Sequence, residues 1–224
     1  MIAHANPDTA LQLLRDGNSR FAAGSAQHPH GDSARRLETL TNGQRPFAAV
    51  LACSDSRVPV EVIFDQGIGD LFVVRVAGNV CGSDQLGSLE YAVEHLETPL
   101  IVVLGHSDCG AVKAALHEAL PHGAVAGIVD KIMPLVVEAR GGNPALPAER
   151  LVSDVILLNV HHVLATLLRE GSPALRTRVS AGTLAVVGAV YDLHTGSVEW
   201  LGPHPRQYAL LAETRRDHSP RRPS

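Results

Sequence analysis

The sequence predicts one α/β domain, with a mostly parallel central sheet flanked by helices and an antiparallel edge hairpin near the C-terminus. Three observations predict it. Short apolar runs at 47–52, 70–76 and 100–104 alternate with segments of helical spacing, the strand–helix–strand order of a parallel sheet. Two of these runs stop abruptly at polar, chemistry-bearing residues, as strands do where an open α/β sheet holds its ligand. The last apolar pair, 184–191 and 197–201, is joined through Asp192-Leu-His-Thr-Gly196, which reads as a hairpin.

In chain order, Asn6-Pro7-Asp8 starts a helix with a capping Asn, Pro at the first helical position and an acidic first turn. Leu11, Leu14 and Phe21 give that helix one apolar side, which must lie on its own domain or on a partner's. A polar connection at 24–33 leads to a short helix over 34–41. Residues 47–52 read as a buried strand, 59–64 as a helical turn and Gly67-Ile-Gly-Asp70 as a tight connection. The run 70–76 is rich in β-branched residues and reads as a strand. Leu86, Leu89, Val93 and Leu96 set a helix over 83–95, followed by Pro99 and the strand at 100–104. Further helices open at Cys109-Gly110 and span 125–140 and 148–170, parted by the Gly/Pro-rich 141–147. The domain is expected to cover 1–211, with 212–224 a disordered polar tail.

At 224 residues, 45% hydrophobic and 19% charged, the chain fits one globular core of ordinary size. A net charge of -4 without a basic block points away from nucleic acid. No apolar stretch is expected to reach the roughly 20 residues of a membrane helix, and Met1-Ile-Ala-His-Ala-Asn6 does not read as a secretion signal, so a cytoplasmic protein without a membrane role is expected. Cys53, Cys81 and Cys109 are an odd number of thiols. In a reducing compartment such thiols point to metal binding or catalysis rather than disulfides. Among the twelve histidines, His28, His30, His161 and His162 invite a proton-shuttle reading, and none is assigned one.

The chemistry gathers at two strand ends. Cys53, Asp55 and Arg57 stand on alternate positions after the first apolar run, and His106-Ser-Asp-Cys109-Gly110 follows the third. Zinc takes Cys and His in tetrahedral geometry, and a catalytic site has three protein ligands and an open fourth position. Cys53, His106 and Cys109 supply that number, although spacing alone is equally met by small buried thiols and a satisfied core histidine. Arg57 can hold Asp55 in a charge-assisted bond, leaving the other carboxylate oxygen to orient a zinc-bound water. The same carboxylate can also become a fourth ligand and shut the site.

Together, Cys53-Ser-Asp55-Ser-Arg57-Val58 and His106-x-x-Cys109-Gly110 resemble the β-class carbonic anhydrases. The resemblance runs from Asn6 to Leu201 and takes in Asp16-Gly-Asn-Ser-Arg-Phe21, Gly69-Asp-Leu-Phe-Val-Val-Arg75 and Ser88-Leu-Glu-Tyr-Ala-Val93. It implies reversible hydration of carbon dioxide to bicarbonate, with one Zn(2+) per subunit on Cys53, His106 and Cys109. It further implies an Asp55–Arg57 catalytic dyad in which Asp55 ligates the metal in closed forms. Gln44, Phe72, Tyr91 and the Gly110 backbone match substrate-pocket positions. The family pocket crosses a dimer interface, so a homodimer or homotetramer is expected, with Gln44, Phe72 and Tyr91 facing the neighbouring subunit's zinc.

This chain departs from the family at Arg75-Val-Ala-Gly-Asn79, where many members read Arg-Asn-Val-Ala-Asn. It also carries Val50 where some members hold an inhibitory bicarbonate with a Trp, although Arg75 and Tyr191 match there. Two other readings use the same ligands: hydrolysis of carbon disulfide or carbonyl sulfide, and a non-enzymatic structural-zinc module with Asp55 as fourth ligand. Arg57 argues against the second, since a purely structural site has no use for a cation competing for that carboxylate.

Overall fold

In a computed structural model, residues 6–117, 122–141 and 146–213 are described. A five-stranded sheet forms from β1 (Ala48–Ala52), β2 (Leu71–Arg75), β3 (Leu100–His106), β4 (Ala185–Tyr191) and β5 (Val198–Gly202), in the order β2-β1-β3-β4-β5. The first four are parallel neighbours, and β5 pairs antiparallel with β4, the expected edge hairpin. β1 and β3 are buried at every residue, so they are written as unbroken apolar runs rather than alternating ones.

Side chains of successive residues leave opposite faces. Ala48, Val50, Ala52, Leu100, Val102 and Leu104 enter one core, while Ala49, Leu51, Ile101 and Val103 enter the other. The first face is covered by α1 (Pro7–Ala22) and α3 (Val60–Ile63). The second is covered by α4 (Ser83–Glu94), α7 (Ala148–Glu170) and α8 (Pro173–Ser180). A third apolar cluster joins α5 (Gly110–Leu116), α6 (Val125–Arg140) and α7 beside the carboxyl ends of the strands. α2 (Ser33–Asn42) buries none of its residues, and Leu37 and Leu40 on it are exposed. α8 and α9 (Gln207–Ala212) were not anticipated. α9 ends at Ala212, beside the expected domain end at 211. The Glu213 carboxylate accepts from Arg169 Nε at 2.6 Å, and the rest of the expected tail, 214–224, lies outside the described residues.

The first helix lies on its own domain. Its Asn6 cap accepts from the Thr9 amide at 2.8 Å, and Ala10 and Leu14 are fully buried. Gly17 rests directly on the end of α3, where a Cβ would stand 1.8 Å from the Phe64 carbonyl oxygen. Asn18 then clasps three segments: Nδ2 donates to the carbonyls of Ile63 (3.2 Å) and Gly196 (3.0 Å), and Oδ1 accepts from the Val198 amide at 2.8 Å. Arg20 Nε meets the buried Asp65 carboxylate at 2.6 Å, and that carboxylate also takes the amides of Gln27 and His28. The Asp16–Phe21 motif is therefore a structural clasp, with each neutral buried bond contributing about 1 kcal/mol.

One expectation is corrected. α7 is 23 residues long with an 18-residue window of mean hydropathy 1.7, so by length and composition it could cross a bilayer. Its apolar side is instead spent inside the domain: Val155, Val160, Val163, Leu164, Leu167 and Leu168 are buried, and the helix packs on β3, β4 and α6.

Candidate active site

β1 continues to β2 on one side and lies against β3 on the other, so the strand order reverses between β1 and β3. At such a switch point the loops leaving the two carboxyl ends diverge and open a crevice. Ala52 sits beside Leu104 in the register, which brings the next residue of one strand, Cys53, level with the end of the other, His106. Ser107 and Asp108 turn the chain, with Asp108 at φ +60°, and Cys109 follows as the N-cap of α5. The Ser107 amide donates to the Tyr191 carbonyl at 2.9 Å and its hydroxyl accepts from the Leu193 amide at 2.9 Å, so the turn is pinned to β4.

Cys53, His106 and Cys109 are all buried, and one ligand atom from each lies within 4.8 Å of the others. His106 Nδ1 is 2.9 Å from the Ser107 carbonyl, which can only accept, so Nδ1 carries the proton. The buried Nε2 therefore presents a lone pair, and no described protein group donates to it. The Gly78 amide donates to Cys53 Sγ at 3.2 Å. Hydrogen bonding from the Cys109 thiol draws the Cys53 thiol well below its usual range against the opposing effect of burial, and the Gly78 amide adds to it. Cys109 is pushed up by that thiolate and by burial, with the Ala111 and Val112 amides at the start of α5 pulling the other way. Two thiols competing for one proton beside an imidazole whose Nε2 has no protein partner among the described residues form a donor set suited to a thiophilic dication, and zinc fits it.

Asp55 is not in that group. Arg57 takes its carboxylate on both oxygens: its amide and Nε donate to Oδ1 at 2.9 and 3.0 Å, and Nη2 donates to Oδ2 at 2.8 Å. This differs from the expectation that one oxygen would be left free, but Oδ2 takes a single bond and keeps a lone pair. The Arg57 guanidinium holds the Asp55 carboxyl far below the usual carboxylate range. Arg57 also reaches the Asp108 carboxylate at 3.3 Å, and Asp108 is paired with Lys113 in turn. Beneath the dyad, Arg75 donates to the carbonyls of Cys53 at 3.0 Å and Asp55 at 2.7 Å, fixing the loop that carries both.

A family model described as carbonic anhydrase matches residues 48–198, a span that contains every residue of this constellation. The chain belongs to the β-carbonic anhydrase family. It is 46% identical to a carbonic anhydrase of Mycolicibacterium smegmatis over 202 residues, covering 88% of this chain and 94% of that one. It is 44% identical to carbonic anhydrase 2 of Mycobacterium tuberculosis over 197 residues, covering 86% and 92%. Among solved structures, the β-carbonic anhydrase CafA of Aspergillus fumigatus superposes with a TM-score of 0.74 at 28% identity, covering 89% and 96%. A tetrameric β-carbonic anhydrase of Sordaria macrospora superposes at 0.69 with 27% identity, covering 87% and 98%.

As a β-carbonic anhydrase the chain is a carbonate dehydratase, and its other expected pocket residues fall into two groups. Gly110 adjoins Cys109 at the start of α5. Gln44 does not reach the thiols of its own chain: it is exposed before β1, with the whole strand between it and Cys53. Phe72 pairs in register with Ala49, near the start of β1, and its ring lies 6.2 Å from that of Tyr91, which is half-exposed. Val50 is fully buried in the core cluster that also holds Tyr191, and Arg75 is committed to the Cys53–Asp55 loop. Arg75 had been read only as a bicarbonate-site match, and its role under the dyad was missed. Gly78 was missed as a donor to Cys53. Its signal was the Gly-Asn pair just after a strand, a sequence suited to the left-handed backbone that both residues adopt.

Proposed function

We propose that Cys53 Sγ, His106 Nε2 and Cys109 Sγ hold one zinc ion per subunit, and that the Asp55–Arg57 dyad orients water for attack on carbon dioxide. The observation that carries this reading is the engagement of Asp55 by Arg57, which leaves three protein ligands and one position for solvent. Zinc in such a site supplies the Lewis acidity that turns water into a nucleophile near neutral pH. Asp55 Oδ2 accepts a hydrogen bond from that water and aims its lone pair at the carbon, while Arg57 keeps the carboxylate charged and stationary. The Gly110 amide, at the first position of α5 beside Cys109, steadies the oxygen on which charge develops in this reading. Because both site thiols must stay reduced, a reducing compartment such as the cytoplasm suits the protein.

The sign of the pH dependence follows from these charges. Asp55 has a depressed pKa, so its carboxylate forms above that value and is lost only in strong acid. It is ionised throughout the neutral and alkaline range and contributes no limb there. Two thiolates offset the dication's formal charge, whereas three neutral histidines leave it whole and bring bound water to a pKa near 7. Turnover is therefore expected to rise from neutral toward alkaline pH with an apparent pKa above about 7, read by stopped-flow carbon dioxide hydration on zinc-assayed enzyme. A flat profile from pH 6 to 9 contradicts the proposed ligand set.

The pocket is proposed to be completed by a second copy of the chain. β2 forms one edge of the sheet; exposed Ile68 lies just before it, half-exposed Tyr91 stands against its Phe72, and exposed Leu37 and Leu40 are on α2, whose Arg35 donates to the Ile68 carbonyl. The tetrameric Sordaria neighbour supports self-association. In this arrangement Gln44, Phe72 and Tyr91 of the partner subunit line the carbon dioxide pocket of the first. Leu40→Glu is expected to shift sedimentation toward the monomer and to lower activity in proportion to the oligomer lost. An active monomer refutes the shared pocket.

A further inference from the structure

Gly78 stands directly behind the metal-site sulfur, and both of its polar groups are engaged. Its amide donates to Cys53 Sγ at 3.2 Å, and its carbonyl accepts from Asn159 Nδ2 at 2.8 Å. It is wedged in place: a Cβ there would meet Ile132 Cδ1 at 2.9 Å and Ala111 Cβ at 3.0 Å, and its φ is +70°. α5 and α6 thus press it from one side, and α7 holds it from the other through Asn159.

Asn159 is out of character for its position. It is 2% exposed on a helix whose neighbouring buried positions are Val155, Ile156, Val160 and Val163. Its Oδ1 is buried without a hydrogen-bond partner among the described residues. A group that only filled space would be served by an aliphatic side chain, without the cost of burying an unpaired amide oxygen. The protein contact that distinguishes this amide from leucine is the bond to Gly78.

We infer that Asn159 is a positioning residue for the metal centre: by holding the Gly78 carbonyl it keeps the Gly78 amide on the Cys53 sulfur. This rests on the reading of Cys53 as a metal ligand. An amide donated to a thiolate withdraws electron density from sulfur and fixes the direction in which its remaining lone pairs point. Groups bonded directly to a ligand, as the Gly78 amide is, typically govern metal affinity by 10- to 100-fold, and Asn159 acts by keeping that bond in place.

The test is Asn159→Leu in the full chain, similar in shape but lacking the donor. Zinc affinity is measured by competition with a chromophoric chelator, the thiolate-to-metal charge-transfer band is read on the cobalt(II) form, and melting is followed for the metal-free protein. The expected result is zinc binding weaker by about 10- to 100-fold, a band moved to lower energy because the sulfur is richer in electrons, and little change in metal-free melting. Wild-type affinity with an unmoved band overturns the inference, as does weakened affinity with an unmoved band, which would assign Asn159 to packing alone. If leucine prevents folding, Asn159→Ala reads the same quantities. Cys53→Ala is the control. If it binds zinc as wild type does, the ligand assignment itself fails, whatever Asn159 does.

Discussion

Arg57→Ala is expected to retain its full complement of zinc while losing at least about 100-fold in kcat, the lower end of what a positioned proton-handling group contributes. The guanidinium supplies two of the three hydrogen bonds that fix the Asp55 carboxylate, on Nε and Nη2, and only the backbone amide remains in the variant. Once released, the carboxylate would be free to act as a fourth ligand to the proposed zinc and so to take the position that water needs. Metal content and activity therefore separate. Arg57 is exposed for half of its side chain, so melting should hardly move. If Arg57 acts through Asp55, the double variant with Asp55→Asn is no worse than the more damaging single one, because coupled groups are not additive. A variant within threefold of wild-type kcat would refute the dyad.

Cys109→Ala is expected to do the opposite, removing metal and activity together. The variant leaves one thiol and one imidazole, two ligands where tight binding needs three, and carbon dioxide hydration should fall below about one-thousandth of wild type, well within the roughly millionfold that enzymes supply at the least. Stability reads the same event independently. Metal at 1,000 times its dissociation constant stabilises the folded protein by about 4 kcal/mol, which for a chain of this size raises melting by roughly 8–16 °C. Wild type should show that difference between chelated and zinc-loaded protein, and Cys109→Ala should show none. Binding must displace the proton that the two thiols share, and Cys109 is the one pushed up by its neighbour, so wild-type affinity should fall as pH falls. Stoichiometric zinc retained by Cys109→Ala after dialysis against a chelator would refute the ligand set.

Much of the architecture was legible because its signals are local. β1 and β3 announced themselves as apolar runs because both their faces are covered, and α6 and α7 matched their expected ends because helical spacing persists over many turns. α8 and α9 are short and weakly patterned, and they form by packing on α4 and α7, which leaves little periodicity to read. α7 shows the converse error. Composition does not say whether an apolar helix faces lipid or the protein's own sheet, and only the strands beneath it decide that.

The site divides along the same line. By itself the sequence determined which atoms are available: a thiol, a carboxylate and a guanidinium after one apolar run, and an imidazole and a thiol after another. Those types at those spacings do not by themselves choose between a metal site and small buried thiols beside a satisfied core histidine. Only the tertiary structure decided that β1 and β3 are neighbours and that Arg57 takes both oxygens of Asp55. It alone set Gly78 and Asn159 behind the sulfur. Side-chain identity and periodicity are written into the chain one residue at a time. Strand order, and with it every contact between residues distant in sequence, depends on which apolar faces bury one another best, a property of the whole core.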